Sequence, residues 1–152
     1  MREFVAPETD TRKVGPLKLD FVFRIDVELD EPNRMQTSRG VRVFQRILGG
    51  RVSGPRLNGT VHPESGGEFG LGRADGVDEL NTHFMIRDDA GAWLYVQHAG
   101  LRRDADGYYR FAAYFDADGD GPHAWLNDTV VIGTAKIVPG ARRIEFTYYA
   151  VS

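Results

Sequence analysis

Phe21-Val22-Phe23-Arg24-Ile25-Asp26-Val27-Glu28-Leu29 alternates apolar and polar side chains along nine residues. That period of two is the signature of a strand with one face buried and one face wet. Similar runs recur at Val41–Leu48, Leu57–Pro63, Leu80–Asp88, Ala92–Ala99, Tyr108–Asp116, Thr129–Val138 and Arg143–Val151. Turn chemistry separates them: Asp30-Glu31-Pro32-Asn33, Gly49-Gly50, Ser65-Gly66-Gly67, Asp89-Ala90-Gly91, Asp104-Ala105-Asp106-Gly107, Asp118-Gly119-Asp120-Gly121-Pro122 and Pro139-Gly140. No segment carries a sustained apolar stripe of helical spacing. Seven or eight short strands joined by glycine-rich corners predict an all-β fold, a single antiparallel β-barrel with little or no helix.

The chain has 152 residues, a length that suits one domain able to bury a real core. Residues 1–16 mix charges with Pro7, Gly15 and Pro16 and read as an N-terminal arm; residues 17–152 read as the barrel domain. No apolar run approaches membrane-span length, and none follows a basic start, so no membrane is expected and the expected address is cytoplasmic. Cysteine is absent, which excludes disulfides, thiolate metal sites and cysteine nucleophiles. A net charge of -3 offers no footprint for nucleic acid. The 16 arginines against 3 lysines are read as a genomic bias, since they form no basic run.

Gly49-Gly50-Arg51-Val52-Ser53-Gly54-Pro55-Arg56-Leu57-Asn58-Gly59-Thr60-Val61 carries a GG-x3-GP-x-L-x-G-x-V pattern. Glu68-Phe69, Asp75-Gly76, Leu80-Asn81-Thr82-His83-Phe84, Gly91-Ala92-Trp93-Leu94-Tyr95-Val96, Tyr109-Arg110, Phe115-Asp116 and Trp125-Leu126-Asn127 follow it in order. From Leu17 to Val151 the chain resembles the bacterial and fungal family known as domain of unknown function 3237. The resemblance implies a β-barrel similar to calycin-like and allene-oxide-cyclase-like barrels, and it implies no activity. The departures from the family pattern are chemical. Asn81 and His83 stand where the family carries Asp and Arg, Asp116 where it carries Glu, and Phe69 where it carries Trp.

Within Leu80–Asp88, alternation sets Asn81, His83, Met85 and Arg87 against Phe84 and Ile86. A two- or four-residue turn at Asp89-Ala90 pairs His83, Met85 and Arg87 with the face of Leu94, Val96 and His98. A three-residue turn shifts the register by one and sets His83 beside Trp93, Tyr95 and Gln97. The first register is preferred, because its mixed face suits a ligand cavity; the alternative is a half-solvated outer face. On the preferred register the chain binds a small organic ligand. Its enzymatic form is a cofactor-independent lyase, isomerase or cyclase acting on a carbonyl-containing or polyketide-like metabolite.

In that reading His83 is the general acid or base and Asp116 orients it or acts as the second group. Arg87 or Arg110 stabilises an enolate or carboxylate, and Asn81, Phe69, Tyr95, Trp125 and Asn127 complete the substrate-binding set. A carrier with the same cavity and no productive acid–base pair is the alternative. No cofactor is called for. Asp116, Asp118, Asp120 and Gly121 match half of a calcium loop, but Asn127 stands where the bidentate Glu belongs, so no metal is assigned. His62, His83, His98 and His123 form no ligand pair of established spacing. A homodimer is the expected assembly.

Overall fold

The computed structural model describes residues 15–152, so most of the expected arm lies outside the described residues. Ten strands form one antiparallel sheet: β1 Leu19–Leu29, β2 Asn33–Thr37, β3 Gly40–Ser53, β4 Gly59–Val61, β5 Gly67–Gly72, β6 Val77–Asp88, β7 Trp93–Arg103, β8 Tyr108–Ala117, β9 Val131–Ile137 and β10 Arg143–Val151. Among the described residues, helix is confined to two single 3-10 turns, Asp104–Asp106 and Ala124–Asp128. Among the described residues no helix is long and apolar enough to cross a membrane.

The sheet closes on itself because β1 pairs with both β10 and β3. Going round, the order is β1-β10-β9-β8-β7-β6, then β4 and β5, then β3. β4 and β5 each bridge β3 and β6 at different heights, so they act as one interrupted stave of an eight-stave barrel. Closure pairs β1 on both edges from Arg24 to Glu28. β2 stands outside the ring and pairs only with β3, as the arm of a hairpin at one barrel end.

Long β3 serves four partners by bending at Gly49-Gly50, where its ladder with β1 slips between Glu28 and Leu29. A Cβ at Gly50 would lie 1.9 Å from the Asp26 carbonyl oxygen, so only glycine allows that approach.

Alternation sends Phe23, Ile25 and Val27 of β1 into the lumen with Phe84 and Ile86 of β6, Leu94 and Val96 of β7, Phe111 and Phe115 of β8, and Phe146 and Tyr148 of β10. The rings meet edge-on or tilted, as Phe23 with Phe115 at 5.6 Å and Phe111 with Tyr148 at 5.1 Å. Most of the lumen is therefore solid core, which burial of this apolar surface stabilises.

Two expectations need correction. Strands β2 and β5 lie outside the runs expected to be strands, touching the expected turns only at Asn33 and Gly67, yet both join the sheet. The β6–β7 register is the three-residue-turn one: His83 pairs Gln97, Met85 pairs Tyr95 and Arg87 pairs Trp93. Asp89-Ala90-Gly91 forms that turn, with Gly91 at φ +99° and its amide donating to the Asp88 carbonyl at 3.0 Å. A positive φ at the third loop residue is what a three-residue hairpin needs, and glycine adopts it without strain.

Candidate functional site

The register decides which side of the wall each candidate faces. Phe69 on β5, Asn81, His83 and Arg87 on β6, Tyr95 on β7 and Asp116 on β8 all lie on the outer face. There the structure joins several of them. Phe69 stacks between Phe44 and His83, with ring centroids 5.0 and 5.4 Å away. The Tyr95 hydroxyl lies 3.4 Å from His83 Nδ1 and donates to Gln97 at 3.3 Å. Gln97 donates to Asn81 at 3.1 Å and also accepts from the Tyr114 hydroxyl.

Asp116 makes no hydrogen bond or ion pair with His83 among the described residues, so the expected His–Asp couple is not assembled. Arg110 donates to the Tyr109 carbonyl at 3.0 Å and lies against Tyr108. Arg87 lies 5.2 Å from the Trp93 ring. Trp125 packs against the core under the Arg56 guanidinium, 3.9 Å from its centroid. Asn127 ties the loop by accepting from the Ala117 amide at 2.8 Å and donating to its carbonyl at 2.9 Å.

The half-calcium loop is likewise a turn device: Asp118 accepts the Asp120 amide at 3.0 Å, an Asx turn. Among the described residues no three metal-ligating side chains converge. The histidines scatter, with His62 against Trp93 outside and His98 inside. The histidine–carboxylate pair that does form is His123 with Asp88, 2.7 Å apart, where the β8–β9 connection meets the β6–β7 turn. Burial pushes the Asp88 carboxyl up, but hydrogen bonds from His123 and the Ala92 and Ala90 amides outweigh it and hold it below the usual range.

Inside the barrel a different set converges. β5 runs Glu68-Phe69-Gly70-Leu71-Gly72, with Glu68, Gly70 and Gly72 turned inward. Across the ladders Gln45, Glu68, Thr82, His98 and Ala113 form one lateral row, and Gly72, Asp78, Arg102 and Tyr109 form another. Because Gly70 and Gly72 fill so little of their side of the lumen, the core stops short and a cavity of about 190 Å³ opens at this barrel end. Glu68, Leu80, Tyr109 and Ile144 line its inner part; Arg34, Asp78 and Arg102 line its outer part.

Glu68 is 5% exposed, and the Thr82 hydroxyl donates to its Oε2. Its Oε1 is buried with no hydrogen-bond partner. Burial pushes its carboxyl up to about 7, against the opposing pull of the Thr82 hydroxyl and the Arg102 charge. The Tyr109 and Tyr148 hydroxyls are also buried without partners, and burial first, then the Glu68 charge, raises both phenols well above their ordinary range. They remain donors throughout neutral pH.

Arg102 is held by Asp78 at 2.6 Å and Asp104 at 3.3 Å. His98, packed 4.3 Å from Phe111 and 4.6 Å from Phe146, is pushed down to about 3 by burial and stays neutral. A carboxyl balanced near neutrality, in a benzene-sized space that the unpaired Tyr109 also lines, is equipped for proton transfer to a small organic molecule.

Sequence reasoning passed over Glu68, Thr82 and Tyr109. A signal was present: an acidic residue followed at two-residue spacing by Gly70 and Gly72 marks one face of a strand with almost no side-chain bulk.

Comparison with known proteins gives relatives of the same build. The sequence profile of the family described as "Protein of unknown function (DUF3237)" matches residues 17–151. A UPF0311 protein of Clostridium acetobutylicum is 33% identical over 101 residues, 65% of this chain and 63% of that protein. The aligned stretch thus spans less than two-thirds of that relative. The hydroalkoxylation enzyme phnH of Penicillium herquei is 28% identical over 114 residues, 75% of this chain and 68% of the enzyme. The crystal structure of a β-barrel-like protein from Acinetobacter baumannii superposes with a TM-score of 0.83 over 92% of this chain and 99% of that one. At 22% identity, that likeness speaks for the fold alone.

Proposed function

Because the chain belongs to the DUF3237 family, and the matched span holds every residue of the barrel-end cavity, we propose that it is a cofactor-independent acid–base enzyme: an isomerase, lyase or cyclase in which Glu68 moves the proton. The observation that carries this reading is the unpartnered, buried Oε1 of Glu68 in a cavity, on a carboxyl poised near 7. A general acid or base works best when its pKa lies near the working pH. The distant fungal relative that is a hydroalkoxylation enzyme lends support from the same class of chemistry.

The steps balance with this carboxyl alone. For isomerisation, the Glu68 carboxylate takes a proton from the carbon beside a carbonyl. The C–H electron pair becomes the new C=C bond, and the carbonyl pair moves to oxygen, where the Tyr109 hydroxyl donates to the developing enolate. Where the substrate carries a C=C bond conjugated with that enolate, the oxygen pair re-forms the carbonyl, the double bonds shift by one position, and the far carbon takes the proton back from the carboxyl. For addition of an alcohol across a double bond, the carboxyl protonates one carbon and the alcohol oxygen bonds to the other. The hydroxyl proton then passes to the carboxylate. The outer-face His83 and Asp116 form no hydrogen bond or ion pair with each other, and this reading does not use them.

Hydrogen–deuterium exchange at the methyl group of acetophenone in heavy water, followed by proton NMR, tests the proposal with a probe of fitting size. Catalysed exchange should rise with pH through about 7 and fall by about 10²–10⁴-fold in Glu68→Gln. Equal exchange in both proteins would overturn it. Binding of acetophenone without exchange would leave a carrier in its place.

A further inference from the structure

The outer part of the cavity holds two guanidinium groups in different states. Arg102 is committed: Asp78 and Asp104 flank it, and Asp78 accepts from both its Nη2 and its Nε, at 2.6 and 3.0 Å. Arg34, on β2, has no ion pair, hydrogen bond or aromatic stacking partner among the described residues. It is aligned with Val43 across the β2–β3 ladder, and both line the cavity. Most other arginines in the described chain are occupied. Arg24, Arg39, Arg46, Arg51, Arg73, Arg103, Arg142 and Arg143 join carboxylates, and Arg56, Arg87 and Arg110 lie on aromatic rings. Arg42 shares the unoccupied condition, but it borders an outer groove with Phe69 and Asn81.

We infer that the ligand of this cavity is a small organic acid, whose apolar ring enters toward Glu68, Leu80 and Ile144 while its carboxylate stays at the mouth and is received by Arg34. The inference rests on the cavity being the functional site. A guanidinium fork matches a carboxylate with two parallel hydrogen bonds, a geometry that a neutral amide or alcohol does not complete. The buried inner wall, with Glu68 and Tyr109 on it, disfavours the reverse orientation. A carboxylate driven inward would meet the Glu68 carboxyl and lose its water, and the guanidinium nearest that wall, Arg102, is already shared between Asp78 and Asp104. The β2–β3 hairpin gives the geometry its reason: β2 adds no stave to the barrel, yet it carries Arg34 to the opening, next to Pro32 of the β1–β2 connection.

Benzoate and benzamide make a matched pair of probes, alike in ring and differing in charge. Titrated into the folded protein and followed by backbone amide shifts, benzoate should bind about three- to tenfold more tightly than benzamide. Arg34→Gln should remove the preference, Arg34→Lys should retain part of it, and Arg42→Gln should leave it intact. Glu68→Gln should keep the preference even though it abolishes exchange on acetophenone. A failure of the proton-transfer reading is thereby told apart from a failure of this one. Equal binding of the two probes, no binding of either, or a preference that survives Arg34→Gln would overturn the inference.

Discussion

The outer face around His83 and the inner wall around Glu68 are built from the same vocabulary, an ionisable group among aromatic rings and hydroxyls. They differ in accounting for polar atoms. Outside, Tyr114 and Tyr95 donate to Gln97, Gln97 donates to Asn81, and His83 meets the Tyr95 hydroxyl. Inside, Glu68 Oε1, Tyr109 Oη, Tyr148 Oη and His98 Nε2 are buried with no partner. A closed network beside water is at rest. An open one in the core is destabilising unless water or a ligand completes it, and that is why the proposed chemistry is placed there.

The sharpest way to break this contrast is through pH. The folded Glu68 carboxyl sits near 7 against an ordinary 4.5, so the folded state holds a proton that the unfolded chain has released between those values. Stability from this group therefore falls as pH rises from 4.5 to 7 and is level above. Glu68→Gln should be more stable than the parent at pH 8 by up to about 3 kcal/mol, and close to it at pH 4.5, in urea unfolding. His98 has the opposite sign: held down near 3 against an ordinary 6.5, it contributes stability that is lost as pH falls below 6.5. The two slopes offset each other over much of the acid range, so the difference between variant and parent is the quantity to measure. No pH-dependent difference would mean that Glu68 is solvated.

Thr82→Val removes the hydroxyl that favours ionised Glu68 and should raise the Glu68 titration by about one unit, seen by carbon NMR of labelled glutamate. Thr82→Ser should restore it. An unmoved titration would show that the hydroxyl does not hold the carboxylate.

His83→Ala should do least. It loses its contacts with the Tyr95 hydroxyl and the Phe69 ring on the outer face, so stability should change by about 1 kcal/mol or less and acetophenone exchange should be untouched. A hundredfold loss of exchange would move the chemistry to the outside of the barrel.

What the sequence revealed follows the same inside–outside division. Phe21–Leu29 and its counterparts were legible because their apolar residues face the core, as alternation assumes. β5 was illegible because it wears that pattern reversed: Glu68, Gly70 and Gly72 face in, while the large apolar Phe69 lies exposed on the outer face. A strand that walls a cavity has its polar and small residues inside, and reading polarity as exposure turns it inside out. The β6–β7 register failed for a local reason, since Gly91 decided the turn length and with it the side on which His83 lies. Arg34 escaped notice because β2 is short and exposed, with nothing in its own residues to say that it borders an opening.

The closure of the barrel carries a consequence for how the chain is made. β1 can find β3 early, across a short intervening segment, but its other edge waits for β10, the last strand of the described fold. Leu19 opposite Val151, and the paired amides of Lys18 and Ser152, are contacts of nearly the largest sequence separation the described chain allows. On the ribosome, the nascent β1 must therefore travel with one edge bare until the final stave has emerged. The seam sealed last is also the slowest to form, and the interval before it is when two unfinished barrels could exchange strands.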